Sequence, residues 1–223
     1  LLFIGFAIKV PVFPFHTWIS HVYSNAHAPV AMLLTGTITK LGIYAILRYN
    51  FSLFQDALHI LGPYLKWFFL LGFIYIMMGL YSQRYINRLF AHLDLAHTSF
   101  ALFCIFILQR NFIIIGIYHV LITAITLPSI YYIASTVTRR LNTDRIKYLG
   151  GIATMMPNFS VLFFLGCYIL SCLPGSPFFM SALYSVRQMV SPSWVVKMFA
   201  LTSVSIFAIT LLWLYRRTVF GII

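Results

Sequence analysis

The chain has no glutamate. Its acids are Asp56, Asp94 and Asp144, and 15 lysines and arginines against these 3 leave a formal net charge of +12. Charged residues make up only 8% of the chain, where a soluble domain carries about 25%. With 61% of the residues hydrophobic, this excludes a soluble globular protein, whose core could not absorb so much apolar surface. Cysteine is scarce too. Cys104, Cys167 and Cys172 lie in apolar runs with no paired spacing and no histidine in ligand register, so they read as small buried hydrophobes. No motif for haem, iron–sulfur, zinc or nucleotide binding is present; no cofactor and no metal site are expected on this chain. Leu1 opens inside an apolar run, with no initiator methionine and no basic segment before it. The expectation is therefore no signal peptide and a chain that starts mid-protein.

What is present is apolar sequence in long runs. Seven crossings can be drawn, at about residues 1–19, 29–49, 64–81, 89–108, 112–133, 159–184 and 198–215. The expected fold is all-α: a polytopic transmembrane helix bundle over residues 1–223, taken as one domain. Two crossings are interrupted, the first at Pro11 and Pro14 and the sixth at Leu173-Pro174-Gly175. Irregular backbone at membrane depth survives only where protein or a watery cavity covers it, so both breaks should face the interior.

Loop charge sets the orientation. Arg84, Arg88, Arg139, Arg140, Arg145, Lys147, Arg216 and Arg217 fall on one side; Arg48, Arg110, Arg187 and Lys197 fall on the other, with Lys66 near it. The first side should face matrix or cytoplasm. These cations sit in short loops at the ends of apolar runs. There they meet phospholipids such as cardiolipin, not nucleic acid. Trp18, Trp67 and Trp213 near segment ends fit interfacial belts. The abundance of Phe (22) and Tyr (14) points to AT-rich coding such as an organelle's.

Few polar groups lie inside the crossings. Lys9 and Lys40 come first, because a charge at membrane depth is costly and is usually functional. The fourth crossing adds His92, Asp94 and His97, the last two one helical turn apart. The fifth adds His119, flanked by Tyr118 and Thr123. Histidine titrates near neutrality, and a desolvated ammonium releases its proton when a nearby charge moves. Lys9, Lys40, Asp94, His97 and His119 are therefore the candidate proton-relay residues. Four of them also have a plainer reading. Lys9 or Lys40 could snorkel to an interface, and His119 could be an ordinary helix contact. Asp94 could sit at the basic helix end beside Arg84 or Arg88. His21, His27 and His59 read as surface loop residues, and Asp56 and Asp144 as solvated loop acids.

The run AIKVPVFPFHTW, followed by HAPVAMLLTGTITKLGIYAILR, resembles chain 4 of respiratory NADH:ubiquinone oxidoreductase, complex I. The matching residues are Lys9, Pro11, Pro14, His16, Trp18, Pro29, Lys40, Leu41, Gly42, Tyr44 and Arg48. RLFAHLDLAHTSF and IGIYHVLITAI place His97 and His119 on the family's two histidines, and RRLNTDRIKYLGG, LPGSPFF and LYRRTVFG follow in order. The resemblance implies an antiporter-like subunit, seen over about its seventh to thirteenth helices. Lys40 would be the central lysine of a half-channel, and Lys9 the partner of a glutamate on an earlier helix. It further implies a proton-translocating part of an enzyme whose redox sites lie elsewhere. Its partners would be other membrane-arm subunits and its only substrate protons, in the mitochondrial inner membrane. Three departures stand out: Ala182 replaces a family glutamate, Asp94 a serine and His92 a tyrosine, while the acidic loop before Pro29 reads ISHVYSNAHAP. The alternatives are a subunit of an Mrp-type cation/proton antiporter and a membrane scaffold that no longer pumps.

Overall fold

The structure is a computed structural model that describes residues 2–188 and 194–221, with side chains at 2–183 and 205–221. Secondary structure among the described residues is helical, apart from one isolated antiparallel bridge between Tyr85 and Arg145. The longer helices are α1 (Leu2–Lys9), α2 (Thr17–Asn25), α3 (Ala28–Leu53), α4 (Gln55–Leu80), α5 (Ile86–Ile105), α6 (Arg110–Leu141), α7 (Pro157–Leu170), α8 (Pro177–Gln188) and α9 (Trp194–Val219), with short helical turns at Ile146–Tyr148 and Ile152–Met155 between α6 and α7. The side chains of Arg187 and Lys197, assigned above to the less basic side, lie outside the described residues.

Helices α3, α4 and α6 are 26, 26 and 32 residues long and apolar enough to cross a membrane unaided. Helix α5 is different. Its His92, Asp94 and His97 make it less apolar, yet it is buried along nearly its whole length. It forms the inner helix, wrapped by α2, α4 and α6. A charged residue on α5 is thereby removed from lipid by its neighbours, not by water.

Both expected breaks are present. Residues 10–16 separate α1 from α2, and residues 171–176 separate α7 from α8. Proline lacks an amide donor, so the backbone ladder ends at each. The first break is covered at its start, where Val10, Pro11 and Val12 are buried, but not at Pro14 and Phe15, which are exposed. It lies against Gly42 of α3, where a Cβ would stand 2.5 Å from Val10 Cγ2. The second too is covered only in part, contrary to expectation. Ser171, Cys172 and Ser176 are buried, but Pro174 and Gly175 are exposed. Gly175 has φ +89°, and a Cβ there would meet the Tyr168 hydroxyl at 2.7 Å. The tip is shaped for a tight turn that leaves the bundle surface.

Several boundaries differ from the sequence reading. Helix α2 reaches Asn25, so His21 is helical. Helix α4 begins at Gln55, ahead of the crossing drawn from about 64, with Pro63 inside it. The early turns persist because Leu58 and Gly62 are buried, with Leu108 packed so close that a Gly62 Cβ would lie 2.5 Å from its Cδ1. His59 is consequently helical, and Asp56 lies in the first turn, where its charge complements the free N–H groups. Helix α6 continues to Leu141, with Arg139 and Arg140 against its C-terminal dipole, and stops at left-handed Asn142, φ 50°.

Candidate functional site

Lys40 stands near the middle of α3, between two π-helical stretches, Leu34–Ile38 and Ile46–Asn50. Such widened turns re-aim side chains and recur at functional sites. The threonines around it do not solvate it. Thr35, Thr37 and Thr39 donate their hydroxyls to Met32 O, Leu33 O and Leu34 O of their own helix. The Lys40 ammonium is instead ion-paired with Asp94 Oδ1 on α5. The pair is closed off: Lys40 is 7% exposed and Asp94 2%. The second carboxylate oxygen accepts from the Tyr23 hydroxyl of α2 at 3.1 Å. The Tyr131 hydroxyl of α6 donates to the Tyr23 carbonyl at 3.3 Å and steadies that turn. Lys40 therefore does not snorkel. Asp94 does not sit at the helix end with Arg84 or Arg88.

One turn along α5, His97 begins a second polar line. His97 Nδ1 lies 3.1 Å from His119 Nε2 on α6, and His119 Nδ1 lies 3.1 Å from Ser181 Oγ on α8. Both histidines are fully enclosed, at 0% and 1% exposure. The Ser181 hydroxyl donates to Phe178 O at 2.8 Å, so its oxygen receives a hydrogen from His119 Nδ1. His119 Nε2 is then the acceptor and His97 Nδ1 the donor. That leaves the lone pair on His97 Nε2, a buried atom with no hydrogen-bond partner among the described residues. Aromatic rings fill the rest of the shell. Phe207 stacks on His97 at 4.4 Å and 18°, Phe178 lies 4.7 Å from it, and Phe100 and Phe178 lie 5.0 and 4.5 Å from His119. Ring faces attract a cation and exclude water.

The structure thus brings Lys40, Asp94, His97 and His119 together at mid-depth across α3, α5 and α6. It does not bring Lys9, which is exposed at the end of α1. His92 also goes elsewhere. Its ring meets Arg88 O at 2.8 Å and Gln83 Nε2 at 3.3 Å. The sequence reading missed Tyr23 and Ser181, although Ser181 adjoins the singled-out Ala182, which is itself buried.

The comparisons with known proteins decide the family. Residues 1–208 match the NADH:quinone oxidoreductase/Mrp antiporter transmembrane family. The chain belongs to this family. It is 27% identical to NADH-ubiquinone oxidoreductase chain 4 of Acanthamoeba castellanii, over 98% of this chain and 44% of that protein. It is 28% identical to NADH-quinone oxidoreductase subunit M of Rickettsia prowazekii, over 99% of this chain and 45% of that protein. The chain therefore spans less than half the length of these relatives. Among solved structures, respiratory complex I from Thermus thermophilus superposes with a TM-score of 0.86 at 23% identity, over 97% of this chain and 46% of that one. The Mrp complex from Dietzia sp. superposes at 0.85 and 19% identity, over 99% and 41%. The antiporter-like membrane fold is common to both, and both neighbours are multi-subunit complexes.

Proposed function

We propose that this chain is part of a proton-translocating membrane-arm subunit of a respiratory NADH:ubiquinone oxidoreductase, sited in the mitochondrial inner membrane. It works with other membrane-arm subunits and holds no cofactor or redox site of its own. The reading is carried by one observation: the buried Lys40–Asp94 pair followed, one helical turn along α5, by the buried His97–His119–Ser181 line. The similarity to the chain 4 and subunit M relatives favours the respiratory complex over the Mrp antiporter.

Asp94 balances the Lys40 ammonium while the pair is closed. When a charge arriving beside the pair draws Asp94 away, the ammonium is left desolvated and releases its proton. His97 Nε2 takes that proton and its Nδ1 hydrogen passes to His119 Nε2. His119 then gives up its Nδ1 hydrogen at Ser181. Each imidazole receives on one nitrogen and releases from the other, so one proton leaves for each that enters. Lys9, exposed at the first break, meets a carboxylate from another segment, as the resemblance implies.

The test uses the complex that contains this chain, reconstituted in vesicles, with proton uptake followed per NADH oxidised. Lys40→Met should lower the ratio while NADH oxidation by an artificial acceptor is unchanged. An unchanged ratio would leave the scaffold reading standing. Sodium-driven proton exchange without NADH would favour the antiporter reading.

A further inference from the structure

A second charged feature lies apart from the relay, at the end of the bundle where α4, α6 and α9 finish. A cavity of about 680 Å³ opens there. Four cations line it: Arg84 after α4, Arg145 and Lys147 after α6, and Arg217 near the end of α9. No acidic residue lines it. Among the described residues the Lys40–Asp94 pair is the single ion pair, so these four cations have no carboxylate to neutralise them. Their arrangement is fixed by backbone. Ile86 N donates to Asp144 O and Ile146 N to Arg84 O, each at 3.0 Å, which closes the bridge between Tyr85 and Arg145 and holds Arg84 beside Arg145. Aromatic faces keep the heads in place: Arg145 lies 5.8 Å from the Tyr85 ring, and Arg217 lies 5.3 Å from Trp213. Like charges repel when gathered without counterions, so a concave cluster of four favours an anion.

Its depth identifies the anion. The cavity sits past Leu80 and Leu141, the ends of two membrane-crossing helices, and is walled by Trp and Tyr, residues of the membrane–water boundary. Phosphodiester headgroups lie at that level, and basic pockets between helix ends on the inner side bind them.

We propose that this cavity is a binding site for the phosphodiester headgroup of an anionic phospholipid, with Arg84, Arg145, Lys147 and Arg217 as its ligands. The fit does not depend on the relay, and a chain that pumped no protons would keep it.

The experiment titrates the delipidated complex containing the chain with cardiolipin, with phosphatidylcholine and with inorganic phosphate, reading bound lipid by native mass spectrometry. Cardiolipin should bind well above phosphatidylcholine. The triple variant Arg84→Gln, Arg145→Gln, Lys147→Gln should weaken cardiolipin roughly 100-fold, at about a fivefold loss per cation. Arg48→Gln with Arg110→Gln, at the opposite end of the bundle, should leave it unchanged. Equal weakening by both variants would overturn the site, and displacement of lipid by millimolar inorganic phosphate would reassign it to free phosphate. A photoreactive phosphatidylglycerol applied to the unaltered protein gives an arm that needs no variant. Adducts should map to residues 81–85, 145–148 or 213–217, and their absence there would refute the proposal.

Discussion

At the scale of residues, the Lys40–Asp94 pair separates two effects. Each charge is buried at a depth where water cannot solvate it, so either one alone is expensive. Lys40→Ala should destabilise the subunit by about 3–5 kcal/mol, because Asp94 is left buried with only Tyr23 to serve it. Removing both charges with a Lys40→Met, Asp94→Leu double variant should restore most of that loss and leave proton transfer abolished. Thermal unfolding in detergent reads the first effect, and proton uptake per NADH reads the second. A double variant no more stable than Lys40→Ala would show that the pair does not exist as drawn. Ser181 tests the other end of the line. Ser181→Ala removes the oxygen that accepts from His119 Nδ1, a hydrogen bond worth about 1 kcal/mol. Its loss frees the histidine tautomers, so translocation should fall several-fold with little change in stability. Ser181→Thr, which keeps the hydroxyl, should recover it.

Much of this was legible in the chain. Lys40, His97 and His119 each declare themselves as charge or imidazole inside an apolar run. Asp94 declares itself as an acid in a chain that has only three. The pairing was less legible. Lys40 and Asp94 are 54 positions apart, and Asp94 could equally have reached Arg88 within its own helix. Only the close packing of α5 against its neighbours decides. Tyr23 and Ser181 were invisible because tyrosine and serine are common in any helix. The threonines beside Lys40 are the complementary case: near in sequence, they bond to their own backbone and not to the ammonium.

At the scale of elements, glycines set the separations on which the site depends. Membrane helices gain little from burying apolar surface, so close approach through small residues carries much of their packing. Gly116 of α6 faces α5 three residues before His119. A Cβ there would lie 2.6 Å from Ile105 Cγ1 and 2.9 Å from the Ala101 carbonyl. Ile105 can shift, but the carbonyl belongs to a helix backbone and cannot. Gly116→Ala should therefore push α5 and α6 apart, cost about 1–3 kcal/mol, and stretch the His97–His119 contact beyond hydrogen-bond length. The check is thermal stability together with the imidazole nitrogen shifts, and an unshifted His119 would contradict the packing. The breaks were readable as elements because proline and glycine act through backbone alone. The start of α4 was not, since Pro63 signals a boundary locally while the burial of Leu58 and Gly62 holds the earlier turns in the helix.

At the scale of the molecule, charge orients the bundle. The start of α3 and the end of α6 share a groove containing Ala28, Pro29 and Arg139, while Gly62 and Leu108 meet at the other end. Successive long helices are therefore antiparallel, and the loops at 81–85 and 142–148 open on the same side. That side carries Arg84, Arg139, Arg140, Arg145 and Lys147 and should face the electrically negative compartment. The native thiols make this testable. Cys104, Cys167 and Cys172 are all buried, so they leave a quiet background for labelling. A cysteine placed at Thr143, between Asn142 and Asp144, should react with a membrane-impermeant maleimide only from the negative side of sealed membranes. One placed at exposed Gln109, between α5 and α6, should react only from the positive side. The two positions lie at opposite ends of α6, so labelling of both from one side would require this helix not to cross the membrane. Labelling of each from the reversed side would show that the cations of the 81–85 and 142–148 loops do not set the orientation.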